Sequence, residues 1–398
     1  MKRRDVLLAG GATLLASALP WRAAPAQTSS SAQGSSSART PVPPAPLAPP
    51  KKLSLLVLGG TRFLGPHFIE AARAHGHAVT IFNRGRTNVG RVTDVEVLNG
   101  DRDGKLDALR GRQWDAVLDT SGYVPRHVRS SAELLAPNVA HYVFVSTLSV
   151  YASFAKANDE SSPVGKLKDE TVEKVAGETY GPLKALCERA AEQAMPGRVT
   201  ILRPGLIVGP EDNTDRFTYW PARAARGGEM LAPNSPADRM QVIDVRDLRD
   251  FTLRCIENRA LGTYNVVSAP QQFTMGALID ACVTAAGTNA RATWVPAAFL
   301  AEHNVQGWSD MPVWLHAVGE EAGFADHNVD RAMKTGLAIR PLLTTVRDTL
   351  AWHLARPEEQ RNALKAGISA NREREVLAAW RASREQPEAP SPGASQGP

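Results

Sequence analysis

Tyr180 and Lys184 stand four residues apart in the stretch TYGPLKALCERAAEQ. On a helix that spacing puts both side chains on one face, a turn apart. Pro182 between them suits the first turn of such a helix, where no N–H donor is required of it. A phenol titrates near pH 10, too high for a base at neutrality. A neighbouring ammonium favours the phenolate and draws the phenol toward the working range. The lysine also has the reach to hold a cofactor ribose. By itself a Y-x-x-x-K pair is common and reads equally well as a surface pair.

A second group of residues could act with this pair. In VFVSTLSVYA, Ser146 and Thr147 fall at the carboxyl end of an apolar run, where open α/β sheets bind their ligands. A hydroxyl there can hydrogen-bond the oxygen that Tyr180 protonates or deprotonates, or it can satisfy strand-end backbone.

The stretch GGTRFLG follows another apolar run and opens a helical pattern. Gly59 permits the tight turn, Gly65 permits close packing of helix on strand, and N–H groups at the helix start face a cofactor pyrophosphate. Thr61, Phe63 and Leu64 fill the loop, and Arg62 stands where G-x-x-G-x-x-G has its middle glycine.

These residues need a framework. Apolar runs suited to buried parallel strands occur at LSLLVL, HAVTIFNRG, VEVLNGD, WDAVLDTSGY, HYVFVSTLSVYA and VTILRPGLIVG. Helical segments separate most of them, which predicts a doubly wound parallel sheet of the Rossmann type with a smaller C-terminal substrate lobe. The end of the second strand selects the cofactor. An acidic side chain there would hold the adenosine ribose of NAD, but the chain has Asn83, followed by Arg84 and then Arg86. Asn83 does not repel a 2′-phosphate, and Arg84 and Arg62 can pair with one. NADP is expected, with NAD the alternative; the arginines read otherwise as solvated loop charges.

With these motifs the chain resembles the NAD-dependent epimerase/dehydratase family, among the extended and atypical short-chain dehydrogenase/reductases, from about Leu53 to Trp352. The resemblance rests on GGTRFLG, VSTLSVYA, YGPLK, RPGLIVGP and QVIDVRDL. It implies that Thr147 is the catalytic hydroxyl, Tyr180 the acid/base and Lys184 its partner. It further implies Asp101 and Arg102 beside the adenine, Asp119, Thr120 and Ser121 along the cofactor, and Pro204 next to the nicotinamide. The substrate lobe would be assembled from residues 211–241 and 268–341. Its candidate substrate contacts are Arg216, Arg239 and Gln241, with Tyr219 and Trp220 nearby, and an arginine pair would suit a nucleotide-sugar diphosphate. Trp294, Trp308 and Trp314 read as core. Arg62 in place of glycine occurs in atypical members, including plastid RNA-binding relatives.

Composition adds an address. Lys2, Arg3 and Arg4 precede an apolar run from Val6 to Leu19, and AAPAQ offers a cut after Ala26. The run is too short to span a bilayer, which needs about 20 apolar residues. Paired arginines at this point resemble a twin-arginine signal, the route for proteins exported already folded. The expected address is the periplasm or the exterior, with the twin-arginine machinery as a partner and no stable membrane anchor. The expected division is a signal peptide at 1–26, a disordered linker at 27–50 and a nucleotide-binding domain at 51–210. A substrate lobe interleaved with returning sheet elements then covers 211–355, and a C-terminal helix and tail 356–398.

The net charge of +5 falls close to neutral once the basic leader is removed, a weak footprint for a polynucleotide binder. No nucleic-acid partner is expected. Three scattered cysteines offer no disulfide framework, and no metal-ligand set is read, since His75 and His77 only flank a glycine in a turn. Four functions fit these features: an NADP-dependent epimerase or dehydratase acting on a small, sugar-type substrate; a simple NADPH-dependent carbonyl reductase; a nucleic-acid-binding relative; and a non-catalytic NADP-binding relative. A homodimer is compatible with each.

Overall fold

The computed structural model describes residues 51–385. The expected signal peptide, linker and last tail residues lie outside the described residues.

The strand Ser54–Leu58 (β1) is apolar on both faces, as a strand between two helical layers must be. Its residues Leu55, Leu56, Val57 and Leu58 are at most 1% exposed, each contributing about 1.5–3 kcal/mol relative to an exposed side chain. Helix α1 (Leu64–Ala74) follows, then β2 (Ala78–Asn83), β3 (Glu96–Asn99) and β4 (Trp114–Asp119). Helix α2 (Pro125–Leu135), β5 (Val139–Val145), helix α3 (Gly177–Ala194) and β6 (Val199–Pro204) continue the pattern. A seventh strand, Gly262–Val266, joins after a long excursion. The sheet runs Gly262–Val266, β6, β5, β4, β1, β2, β3, and every pairing in it is parallel. The order reverses between β1 and β4, and such a switch point opens a crevice at the carboxyl ends of the strands.

One face of the sheet is covered by α1 and the helix Val245–Glu257, around Phe68, Ile69, Leu248 and Phe251. The other is covered by α2 and α3, around Val128, Leu135, Ala190 and Met195. A further apolar cluster builds the C-terminal lobe, where strand Glu229–Pro233 pairs with Arg291–Val295. The lobe is closed by the helix Ala370–Glu385, whose Glu373 forms a buried ion pair with Arg223. Among the described residues no helix is long and apolar enough to cross a membrane.

Two local expectations need correction. The fifth strand ends at Val145, and the chain turns through a short 3₁₀ helix at Leu148–Val150 instead of continuing to Ala152. Thr147 causes this, because its hydroxyl accepts from the Ser149 N–H at 3.2 Å and caps the turn. Helix α3 begins at Gly177, so Pro182 sits in its interior rather than in its first turn. The earlier start is secured by Thr179, whose hydroxyl accepts from the Ala176 N–H at 2.9 Å and donates to the Lys174 carbonyl at 2.6 Å. Tyr180 and Lys184 remain a turn apart.

Candidate active site

A cleft of about 770 Å³ opens at the carboxyl ends of the strands. At one end is the glycine loop. Gly59 and Gly60 have φ of 99° and 84°, conformations in which a side chain would be strained. A β-carbon on Gly65 would stand 2.4 Å from the Gly60 carbonyl carbon, so helix and loop approach this closely only with glycine there. Phe63, at the helix entry, has a φ of 37°, a strain of the kind found at ligand clamps. The first turn of α1 holds no acidic side chain that would oppose an anion.

Thr120 and Ser121 tie the ends of β1 and β4 together. Both hydroxyls donate to the Leu58 carbonyl, at 3.0 and 3.1 Å, and Thr120 also accepts from the Gly60 N–H at 3.3 Å. Asn83 lines the cleft, its carbonyl oxygen accepting from the Gly85 N–H at 2.7 Å. Arg84 and Arg86 line the same end, with Arg62, and among the described residues neither Arg84 nor Arg86 makes an ion pair. A glycine cradle, a helix N-terminus and flanking cations fit a dinucleotide.

Asp101 and Arg102 also reach the cleft, but Asp119 does not line it. Asp119 is fully buried and takes a forked pair from Arg102 at 2.7 and 2.8 Å, a third bond from the Tyr142 hydroxyl at 2.8 Å and a fourth from the Ser121 N–H at 3.0 Å. Arg102 and Asp119 therefore brace the floor of the site.

Thr147, Tyr180, Lys184 and Pro204 meet along the middle of the cleft. The Tyr180 phenol is raised above its ordinary range, first by burial and then by Tyr123; the Thr147 hydroxyl and the charge of Arg216 pull it down. The expectation that the neighbouring Lys184 ammonium draws the phenol down toward the working range is not met. Its ammonium donates to the carbonyls of Gly122 and Val145, each at 2.7 Å, and lies 4.0 Å over the Phe144 ring. Burial lowers Lys184 to about 8. One of its three N–H groups is left for a ligand. Ser146, the other strand-end hydroxyl, also lines the cleft and donates to Glu188, which is forked to the buried Arg203.

Of the proposed substrate contacts, Arg216 and Gln241 line the cleft and Arg239 does not. Arg239 pairs with Asp326 and donates to the Ala322 carbonyl, fastening the segment that follows the lobe's tryptophans. Tyr219 and Trp220 are core, the Trp220 indole donating to the Pro312 carbonyl at 2.7 Å.

The NAD dependent epimerase/dehydratase family matches residues 55–267, more than half of the chain. The chain belongs to that family. Membership supports an enzyme of the epimerase type that uses a nicotinamide dinucleotide. Among curated proteins, the chain is similar to the chloroplast stem-loop binding protein of 41 kDa b from Arabidopsis thaliana, 25% identical over 258 residues. That match covers 58% of this chain and 63% of the relative's length. Among solved structures it is similar to UDP-glucuronic acid 4-epimerase from Bacillus cereus in complex with NAD. There the identity is 13%, covering 75% of this chain and 96% of that one, with a TM-score of 0.56. It is also similar to the human epimerase family protein SDR39U1 (isoform 2) with NADPH, at 20% identity, 75% and 99% coverage and a TM-score of 0.51. At these identities the likeness is one of fold.

Within the epimerase/dehydratase framework, several cleft residues had escaped the sequence reading. Tyr123 ends the TSGY stretch after β4, with its ring centroid 6.5 Å from that of Tyr180 and 5.4 Å from the Lys184 ammonium. Its place at a strand's carboxyl end was the available signal. Trp308, read from the sequence as core, instead lines the cleft, where it joins Phe324 and Phe154 from distant segments in a single aromatic wall. No spacing in the sequence joins them.

His75 and His77 meet Glu257 at the opposite end of α1, the one group of three metal-competent side chains among the described residues. The Leu53 N–H donates to His77 Nδ1 at 3.2 Å, so in neutral His77 the proton is on Nε2, facing Glu257 at 3.0 Å. A metal would need the Nε2 lone pair.

Proposed function

We propose that this family member is an NADP-using oxidoreductase of the epimerase/dehydratase type, acting on a hydroxyl- or carbonyl-bearing carbon of a small, sugar-like molecule. The reading is carried by one observation: Thr147, Tyr180 and Lys184 share a cleft with the glycine loop. Bound nicotinamide would supply a centre that accepts a hydride and can return it. The loop from Gly59 to Gly65 would hold the pyrophosphate, Arg84 and Arg86 the 2′-phosphate, and Lys184 the ribose. Tyr180 holds or takes the substrate proton at its hydroxyl oxygen, and Thr147 orients the substrate oxygen beside it.

Export belongs to the same proposal. A protein that folds around NADP before crossing the membrane keeps working outside only if each cycle restores the nucleotide. That favours a redox-neutral conversion over a simple carbonyl reduction, which needs a second substrate to recharge the cofactor.

The cofactor choice is tested by titrating NADP and NAD. NADP should bind more tightly, and Arg84→Ala should narrow the preference by about tenfold or more, the loss of one charge-assisted bond. Equal or tighter binding of NAD would overturn the NADP assignment. The chloroplast relative favours a second reading, binding of a structured RNA. It predicts RNA retention that weakens steeply with salt and survives loss of the Tyr180 hydroxyl.

A further inference from the structure

Lys184 is a cation 3% exposed, and the carboxylates whose charge reaches it belong to other partners. Asp119 is paired with Arg102 and Glu188 with Arg203. Cys187, on the next turn of α3, stays a neutral thiol because burial pushes it up to about 12, and Arg102 repels the ammonium. Burial without a counter-charge favours the neutral amine. A neutral amine has two N–H groups, and the carbonyls of Gly122 and Val145 would take both. Only the ammonium has a third N–H to offer a ligand.

Two aromatic rings complete the surroundings of that ammonium. The Phe144 centroid lies 4.0 Å from it and the Tyr123 centroid 5.4 Å. An aromatic face attracts a cation within about 6 Å of its centroid and does little for a neutral amine. Phe144 is fully buried on β5, whereas Tyr123 is 47% exposed and lines the cleft. A single exposed aromatic residue is ordinary on a protein surface. This one touches both Lys184 and Tyr180, whose ring lies 6.5 Å away at an interplanar angle of 34°.

The turn between β4 and α2 is built for that contact. A β-carbon on Gly122 would stand 2.5 Å from Phe144 Cε2, 2.7 Å from Val128 Cγ2 and 3.0 Å from Asp119 Oδ2. Glycine lets the turn settle onto Phe144, which sets the Gly122 carbonyl and the Tyr123 ring against Lys184 together. The Tyr123 phenol is raised above its ordinary range by the part of the ring turned against the protein and by the Asp119 charge. It is therefore neutral near physiological pH and meets the cation through its ring.

We propose that Tyr123 is a positioning residue, which with Phe144 and the carbonyls of Gly122 and Val145 closes a cage that keeps Lys184 a cation and so frees its third N–H for the cofactor ribose. The ribose contact rests on the proposed function, and the cage is separable from it.

Nuclear magnetic resonance of protein carrying isotope-labelled lysine, titrated from about pH 6 to 10, follows the Lys184 charge directly. The Lys184→Arg variant assigns the signal. Lys184 should titrate at about 8. In Tyr123→Leu it should titrate lower by roughly half a pH unit, the scale of one exposed cation–π contact. Tyr123→Phe keeps the ring and should keep the unmodified value. A Tyr123 that merely shields Lys184 from water predicts the opposite sign: the smaller leucine would admit water and raise the titration. An unchanged or raised value in Tyr123→Leu, or a value in Tyr123→Phe as low as in Tyr123→Leu, would overturn the proposal. Calorimetric titration of NADP over the same range then tests the ribose contact. Affinity should fall as Lys184 loses its proton, and should do so at lower pH in Tyr123→Leu. A shifted Lys184 with NADP affinity that does not follow would confirm the cage and overturn the ribose contact.

Discussion

Tyr180→Phe should lower turnover by about 10²–10⁴-fold, the usual contribution of a general acid/base, while NADP affinity and the unfolding midpoint stay unchanged. The substitution removes one oxygen from a half-buried ring that lines an open cleft, so little packing is lost. The pH profile of the unmodified enzyme should carry the same signature. Burial raises the Tyr180 phenol above its ordinary range, so near neutrality it holds its proton and is ready as an acid. In the direction that removes a proton from a substrate hydroxyl, the rate should climb as pH rises. Arg216 opposes the upward shift, so Arg216→Ala should move that climb to still higher pH. Turnover unchanged in Tyr180→Phe would leave this phenol a bystander.

Arg102→Ala should destabilise the protein by about 3–5 kcal/mol, the typical cost of removing one partner of a buried ion pair. Arg102 donates not only to Asp119 but also to Ser131 at 2.7 Å and to the His127 carbonyl at 3.3 Å. Without it, Asp119 stays fully buried and keeps as hydrogen-bond donors the Tyr142 hydroxyl and the Ser121 N–H. Arg102→Lys should recover only part of the loss, because an ammonium cannot reproduce the fork on both carboxylate oxygens. Chemical denaturation followed by circular dichroism measures the change. A loss below about 1 kcal/mol, the scale of an exposed pair, would show that the pair does not brace the floor of the site.

These two residues mark where the sequence was legible and where it was not. The Tyr180–Lys184 spacing, the glycine loop and six apolar runs are local patterns, and each reappears in the structure as a helix face, a turn or a strand. The seventh strand, Gly262–Val266, pairs with β6 across an excursion of dozens of residues, and its alternation is too brief to stand out. Asp119 looks like a cofactor contact from its position, yet it lies off the cleft, fully buried against Arg102, which does line it. That pairing depends on burial, which only the packed fold creates. Arg239 leaves the site for the same reason, because Asp326 reaches it first. Trp308 enters the site through a left-handed turn held by the nearby carbonyls of Met311 and Trp314, and no periodicity encodes such a turn.

The central claim is that this cleft carries NADP and keeps it through the catalytic cycle. The most direct measurement is to fold the mature chain with NADP, pass it through a gel-filtration column and identify the nucleotide released on denaturation by mass spectrometry. The account predicts NADP retained at close to one molecule per chain, with NAD displaced when both are supplied. Loss of the nucleotide on the column, or retention of NAD in preference, would contradict it.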